Sequence, residues 1–221
     1  GTVPKNVLVI SMDTFRRDQL HRYGSDTTYL PFLESLMDQG VVLNQHRSCS
    51  NWTMPSIFCA TTGGSNLDVG FVPDLRIADS TAPTVPTLAS RLKDDGYHTI
   101  LITSNSWFAP DHNTASGFDL SISPDDRSTA AELDEGMAQI QALPKGEPWY
   151  LHVHVKEPHP PYTPPDAYLK DLEDLPPAPE DWDFTSQKGQ YAADSQWDDL
   201  PEDQRDLLLE YLWTRYHGEL R

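Results

Sequence analysis

Three short apolar runs, each followed at once by polar residues, constrain the fold of this chain most strongly. They cover residues 6–12, 98–103 and 149–155. Continuous apolar segments of this length are typical of strands buried on both faces of a sheet. We therefore expect three central strands. Asp13 follows the first directly, Asn105 follows the second, and His159 lies shortly beyond the third.

Helical patterns alternate with these runs. The predicted helices cover 31–40, 55–62, 85–95, 128–143 and 201–220, with apolar residues at helical spacing or a capping residue at one end. A further strand is predicted to begin at 41–43. Strands that alternate with helices predict an α/β fold, in which a mostly parallel central sheet is flanked by helices on both faces. We interpret 1–221 as one domain, with an irregular segment rich in Pro, Asp and aromatic residues at 160–196.

The net charge of the chain argues against one class of partner, nucleic acids. There are 34 acidic and 16 basic residues, which gives a net charge of −18. Binding of nucleic acid phosphates needs clustered Lys and Arg, so we expect no nucleic acid partner. No apolar run approaches the roughly 20 residues that a spanning helix needs, and the chain opens without a signal peptide pattern. We expect a soluble protein, periplasmic or secreted if an export signal was removed.

Two cysteines, Cys49 and Cys59, flank the segment 50–56. Two cysteines do not define a disulfide framework, and unpaired Cys is commonly buried as a small apolar residue. We therefore expect free buried thiols, with a single bridge as the alternative.

Polar residues at the carboxyl ends of parallel strands meet at one edge of a sheet, where α/β proteins bind ligands. Thr53 adds a hydroxyl just before a predicted helix, whose N-terminus favours anions. Each residue also has an ordinary structural interpretation. Asp13 and Asn105 are common turn residues, Thr53 is a good N-cap for a helix starting at Pro55, and His159 could shape a loop. Their order along the chain is what favours a site.

That order resembles the sulfatase family of the alkaline phosphatase superfamily. The similar segments, in chain order, are 6–24 with its strand, Asp13 and Tyr-Gly pair; 51–56 (Asn-Trp-Thr-Met-Pro-Ser); 95–99; 117–119 (Gly-Phe-Asp); 157–162 with Pro-His-Pro-Pro-Tyr; and 216–219. The resemblance implies a sulfatase-like catalytic domain that hydrolyses anionic esters. It also implies one or two divalent cations, for which Ca, Mg, Mn and Zn are the candidates.

The resemblance also implies residue roles. Asp13 and Thr53 would ligate a divalent cation, and Thr53 would be the nucleophile. Asn105, with the Thr53 backbone N–H, would stabilise charge on the non-bridging oxygens. His159 would bind the ester oxygen or protonate the leaving group. Arg16 would hold either the Asp13 loop or the anion.

Several positions depart from the family pattern. Thr53 stands where dedicated sulfatases have a Cys or Ser that is oxidised, so no formylglycine can form. Ile57 replaces an Arg, Thr14 replaces a second Asp, and the Lys expected near Ser104 is missing. These differences leave open a phosphodiesterase or phospho-group transferase, and also a non-catalytic relative that binds anionic glycans.

The family's remaining metal ligands would follow Arg221. We therefore expect a fragment whose partner is the C-terminal portion of the same protein, with weak metal binding and slow turnover on its own.

Overall fold

The computed structural model describes residues 5–65, 85–124, 128–169, 183 and 186–221. The chain divides into two compact units. The first comprises Gly1–Asp13 and Gln45–Lys156, and the second comprises Thr14–Asn44 and Glu157–Arg221. Each unit is described by itself below.

The first unit contains a parallel sheet. Its strands are β1 (Val7–Met12), β2 (His98–Thr103), β3 (Leu120–Ile122) and β4 (Trp149–Val155), in the spatial order β1-β4-β2-β3. Every described pairing is parallel, so the predicted sheet is confirmed. The short strand β3 was not predicted, because Leu120 and Ser121 are exposed and carry little apolar signal.

The described residues contain seven α-helices. In chain order they are α1 (Pro31–Gln39), α2 (Thr53–Thr62), α3 (Leu88–Asp94), α4 (Thr129–Ala142), α5 (Asp166–Leu169), α6 (Gln187–Ser195) and α7 (Glu202–Glu219). Three of them, α2, α3 and α4, belong to the unit that contains the sheet, and the other four belong to the second unit. The predicted helices therefore exist, with ends shifted by up to three residues. Within the described ranges, no helix is both long enough and apolar enough to cross a membrane.

One face of the sheet is an apolar core beneath α4. It is formed by Ile100, Ile102, Leu151, Val153 and Val155, each no more than 3% exposed. A Cβ at Gly136 of α4 would lie 3.1 Å from the side chain of Leu151, so the glycine permits a close approach of helix and strand. Burial of this apolar area stabilises the unit.

The opposite face carries polar side chains. Tyr150, His152 and His154 of β4 alternate with the apolar residues and are also buried. Phe108 packs against both histidine rings, with ring centroids 5.3 and 4.9 Å away. Ile57 of α2 is part of the apolar cluster that includes Phe108, so α2 covers this face.

The Gly-Phe-Asp segment at 117–119 has a structural basis. A Cβ at Gly117, whose φ is +88°, would lie 2.2 Å from the backbone nitrogen of Ser90, so only glycine fits. Asp119 accepts hydrogen bonds from the backbone and hydroxyl of Thr99 and pairs with Lys93 at 2.7 Å. Burial tends to raise the pKa of Asp119, but the Lys93 and Thr99 hydrogen bonds outweigh it and lower the pKa.

Three expectations are wrong. Residues 41–43 form no strand, and the side chains of Val41 and Leu43 are 89% and 70% exposed. Strand β1 is not buried on both faces, because Leu8 and Ile10 are about half exposed on the outer strand of the described sheet.

The third wrong expectation concerns the cysteines. Cys49 and Cys59 are joined by a disulfide rather than carrying free thiols, and their Cα atoms are 6.3 Å apart. That separation is within the usual range for a bridge. The bridge links the approach to α2 with the body of that helix.

The second unit is built on α7, which packs against α5. Tyr216 accepts a hydrogen bond from the Arg16 backbone N–H at 3.0 Å, and His217 contacts the side chain of Gln19 at 2.9 Å. Two helices, α5 and α6, occupy parts of the segment predicted to be irregular. Residues 170–182 and 184–185 of that segment lie outside the described residues.

Candidate active site at the carboxyl edge of the sheet

Asp13 and Thr53 come together at the carboxyl end of β1. The Asp13 backbone N–H donates to the carbonyl of Val155 at 3.0 Å, which continues the β1–β4 pairing by one residue and fixes the direction of the Asp13 side chain. The Thr53 hydroxyl donates to the Asp13 carboxylate, with oxygen distances of 3.1 and 3.3 Å. Asp13 is 9% exposed and Thr53 is partly buried, so the pair is shielded but accessible.

Thr53 is the first residue of α2, and the N-cap is Trp52, whose side chain makes no capping hydrogen bond. The interpretation of Thr53 as an N-cap for a helix starting at Pro55 is therefore wrong. Its hydroxyl is turned to Asp13, at the end of the helix where unpaired N–H groups give partial positive charge. Met54 and Phe58 are fully buried and anchor the helix at this position.

Asn105, just after the end of β2, lies beside Asp13. We call the place where Asp13, Thr53 and Asn105 meet the corner of the site. Its Oδ1 accepts the Trp107 backbone N–H at 3.0 Å, which turns the amide Nδ2 toward Asp13 Oδ2, 3.2 Å away. Nδ2 also lies 3.3 Å from His154 Nε2. Both amide hydrogens are thus engaged. Stabilising an ester oxygen would require Asn105 to exchange one of these partners for the substrate.

Three residues that the sequence did not single out extend this corner into the polar face of the sheet. Ser11 Oγ lies 2.8 Å from His154 Nδ1 and 2.9 Å from His152 Nε2, and His154 Nε2 is 3.9 Å from Asp13 Oδ2. Burial, with the neighbouring His154, lowers the pKa of His152 to about 3. Burial alone raises the pKa of Tyr150, next along the row, to about 12.

A signal for these residues was available. His152 and His154 lie two residues apart inside a run that is otherwise apolar, which places both on one face of the strand. Ser11 interrupts the first run in the same way, two residues before Asp13. Alternation within a run therefore indicates a polar face that the overall apolar character hides.

The donor set at this corner fits a divalent cation in part. Asp13 and Thr53 supply a carboxylate and a hydroxyl oxygen, which are the hard donors that such cations prefer. Within the described parts of the chain, no cluster of three His, Cys, Asp or Glu side chains could hold a metal ion. Further ligands would be needed to complete a site.

Arg16 and His159 belong to the second unit. Arg16 forms a bidentate pair with Asp18, at 3.1 and 2.5 Å, and its guanidinium lies 5.0 Å above the ring of Trp213. The hydrogen bond from Arg16 lowers the pKa of Asp18 to about 2. His159 Nδ1 lies 2.7 Å from the Pro160 carbonyl, so Nδ1 carries a hydrogen and donates it. Their roles in the site stay predictions.

Thr14, at the position of the family's second Asp, also belongs to the second unit. Its φ is 54°, and its hydroxyl donates to the Pro158 carbonyl at 2.8 Å. The side chain therefore supports the backbone there.

Comparison with known proteins identifies the family to which this chain belongs. The sequence profile of the Sulfatase family matches residues 5–199. The chain therefore belongs to the Sulfatase family, and its solved structural neighbours are sulfatases and other alkaline phosphatase superfamily members. A search of curated proteins found no match.

Three similar solved structures illustrate the range of neighbours. BT4656, solved with its substrate D-glucosamine-2-N,6-O-disulfate, is 15% identical with a TM-score of 0.69, over 98% of this chain and 58% of that one. The phosphonate monoester hydrolase of Agrobacterium radiobacter is 18% identical with a TM-score of 0.67, over 98% and 56%. The periplasmic domain of the Campylobacter jejuni phosphoethanolamine transferase EptC is 13% identical with a TM-score of 0.62, over 98% and 60%. This chain thus spans somewhat over half the length of each.

Proposed function

We propose that this chain carries the nucleophile of a metal-dependent hydrolase for sulfate esters or related phosphate esters, and that Thr53 is that nucleophile. The observation that carries the proposal is the hydrogen bond from the Thr53 hydroxyl to the shielded Asp13 carboxylate at the N-terminus of α2. A helix N-terminus favours the anionic group of such an ester, and the carboxylate holds the hydroxyl oxygen in place.

The chemistry follows from these positions. Thr53 Oγ1 attacks sulfur or phosphorus, and the bond from that atom to the leaving alcohol oxygen breaks. The hydroxyl proton, which points to Asp13 in this structure, leaves through that carboxylate to solvent. The departing alcohol takes a proton from solvent or from a general acid, which is the role that the family resemblance implies for His159. Water then cleaves the ester on Thr53 and regenerates the hydroxyl.

Asp13 and Thr53 would hold the divalent cation, which when bound supplies Lewis acidity and lowers the pKa of the Thr53 hydroxyl. Two oxygen donors do not complete a cation site. Since the chain spans somewhat over half the length of its structural neighbours, the remaining ligands would come from the rest of a longer protein. Assays should therefore use the protein at its natural length.

Transfer of a phospho group, or hydrolysis of a phosphodiester, is the second candidate. Thr53 favours it over dedicated sulfatase chemistry, because a threonine side chain cannot become the formylglycine aldehyde. The similarity to a phosphonate monoester hydrolase and a phosphoethanolamine transferase agrees with this candidate at the level of the fold.

The Cys49–Cys59 bridge supports a location outside the cytosol. Disulfides persist in the periplasm and outside the cell and are rare in reducing compartments. We therefore extend the proposal to a periplasmic or secreted enzyme.

The test compares Thr53→Ala and Thr53→Ser on p-nitrophenyl sulfate, p-nitrophenyl phosphate and bis-p-nitrophenyl phosphate, with Mg, Mn, Ca or Zn supplied in turn. Loss of the nucleophile should lower kcat on the preferred ester by roughly a thousandfold or more. Thr53→Ser keeps the hydroxyl and should retain much of the activity. Thr62→Ala is the matched control, because the Thr62 hydroxyl donates to the Phe58 carbonyl within the same helix.

The pattern of loss identifies the chemistry. Loss on p-nitrophenyl sulfate or p-nitrophenyl phosphate supports the leading proposal, and loss on bis-p-nitrophenyl phosphate alone supports the second candidate. An active protein whose rates are indifferent to Thr53→Ala rules out the nucleophile. Absence of turnover with every ester and metal, combined with binding of a sulfated glycan, supports the non-catalytic alternative instead.

A further inference from the structure

A row of hydrogen-bonding side chains runs along the polar face of the sheet to the corner occupied by Asp13 and Asn105. It passes from Tyr150 to His152, across to Ser11 on the neighbouring strand, and back to His154. Ser11 lies opposite His154 in the β1–β4 register, so the hydroxyl is held between the two rings by the sheet itself. His152 and His154 are 5% and 4% exposed, which keeps competing water away.

The position of the hydrogens in this row follows from the Asn105 end. The Trp107 backbone N–H donates to Asn105 Oδ1, which fixes the amide with its NH2 group toward Asp13 and His154. At 3.3 Å from His154 Nε2, the Asn105 Nδ2 is a donor and needs a lone pair on that nitrogen. The His154 hydrogen must then be on Nδ1, where it donates to Ser11 Oγ.

The Ser11 hydroxyl completes the sequence of donors. Because it accepts from His154 Nδ1, its own hydrogen is available for His152 Nε2 at 2.9 Å. His152 then carries its hydrogen on Nδ1, which faces the Tyr150 oxygen at 3.4 Å. One consistent direction of donation thus connects four side chains.

We propose that Ser11, backed by His152, is a positioning residue that accepts the Nδ1 hydrogen of the His154 tautomer selected by the Asn105 amide. His154 Nε2 thereby stays available to hold that amide toward Asp13. This arrangement would orient the Asn105 amide that stabilises the ester oxygens, a role that rests on the proposed function. With the opposite tautomer, a hydrogen on Nε2 would face the Asn105 NH2 group and push the amide out of position.

The direct test is ¹⁵N NMR of the histidine-labelled protein, in which protonated and unprotonated ring nitrogens have distinct shifts. Comparison with a His154→Gln variant assigns the signals. The expected result is a hydrogen on His154 Nδ1 in the wild type and in Ser11→Thr, and a mixture of tautomers in Ser11→Ala. A hydrogen on Nε2 in the wild type, or an unchanged tautomer in Ser11→Ala, overturns the proposal.

Kinetics provide the second measurement. Ser11→Ala should lower kcat on the preferred p-nitrophenyl ester by roughly tenfold with little change in KM, because a loosened amide affects the transition state more than binding. Ser11→Thr should restore the rate. The control is Ser104→Ala, because the buried Ser104 hydroxyl has no hydrogen-bond partner among the described residues.

An unchanged kcat in Ser11→Ala, alongside an intact rate in Ser104→Ala, contradicts the positioning role. The two proposals fail separately. A protein with no ester hydrolase activity removes the proposed function, whereas the tautomer measurement still decides the arrangement of Ser11 and His154.

Discussion

The two faces of strand β4 differ in chemistry although they alternate along one segment of seven residues. Toward α4, the strand presents Leu151, Val153 and Val155 to an apolar core. Toward α2, it presents Tyr150, His152 and His154, which are equally buried but joined by hydrogen bonds through Ser11. Buried polar groups cost free energy unless they are paired.

The difference indicates that the two faces of the sheet have different roles. The apolar face supplies stability and needs only size and shape, which many side chains could satisfy. The polar face leads to Asp13 and Thr53 and needs specific donors and acceptors at specific positions. Substitutions on the two faces should therefore have different consequences, and three predictions test this in decreasing order of expected effect.

The largest effect is expected at the end of the polar face. Asp13→Asn keeps the shape but removes the negative charge that accepts the Thr53 hydroxyl. We expect kcat on the preferred p-nitrophenyl ester to fall by roughly a thousandfold, about 4 kcal/mol in activation free energy. The midpoint of thermal unfolding should change by only a few degrees. A large loss of stability with an unchanged rate per folded molecule would assign Asp13 to structure rather than to the site.

The apolar face should show the reverse. Leu151 is 2% exposed and lies under Gly136 of α4, so Leu151→Ala leaves a cavity in the core. We expect unfolding in urea to show a loss of about 2–5 kcal/mol. In the folded protein, kcat should stay within a few-fold of the wild type. A thousandfold loss of kcat at this position would contradict the separation of the two faces.

The smallest effect concerns pH. Burial lowers the pKa of His152 to about 3, below its usual 6.5, so the unfolded chain binds a proton that the folded chain does not. The stability from this group is fully present above pH 6.5 and is lost as pH falls toward 3, by at most about 1.4 kcal/mol per pH unit.

Denaturant unfolding between pH 7 and pH 4 measures this effect. His152→Gln removes the titrating group, so the variant should lose less stability over this range than the wild type. Leu151→Ala serves as the control, because it changes stability without changing a titratable group. Parallel pH profiles for the wild type and His152→Gln would show that His152 does not sense acid.

Much of the sheet was predictable because apolar runs of strand length leave few alternatives. Strands β2 and β4 begin and end where the sequence indicated. The meeting of Asp13 and Asn105 was also predictable, because the carboxyl ends of parallel strands share one edge. The segment 41–43 shows the limit. Val41 and Leu43 form an apolar run, but strand formation also needs a neighbouring strand, and local composition does not reveal one.

The site was less predictable than the sheet. Thr53 has the side chain of a good N-cap, but α2 begins at Thr53 itself, with Trp52 as the N-cap and with Met54 and Phe58 fully buried. Ser11 lies 141 residues from His152 and 143 residues from His154 along the chain. Only the strand register brings these side chains together, and the sequence does not reveal that register. The Cys49–Cys59 bridge was likewise not predictable, because pairing depends on the distance between the two backbone positions in the fold.

The most direct test of the nucleophile is to find the covalent intermediate. The protein would be mixed with the preferred p-nitrophenyl ester, quenched in acid during the first turnovers, digested and examined by mass spectrometry. The expected result is a sulfuryl or phosphoryl group on Thr53 in the peptide that contains Trp52 and Met54, with a stoichiometry that matches the burst of p-nitrophenol. The same group on any other residue, or a burst without modification of Thr53, would contradict the assignment of Thr53 as the nucleophile.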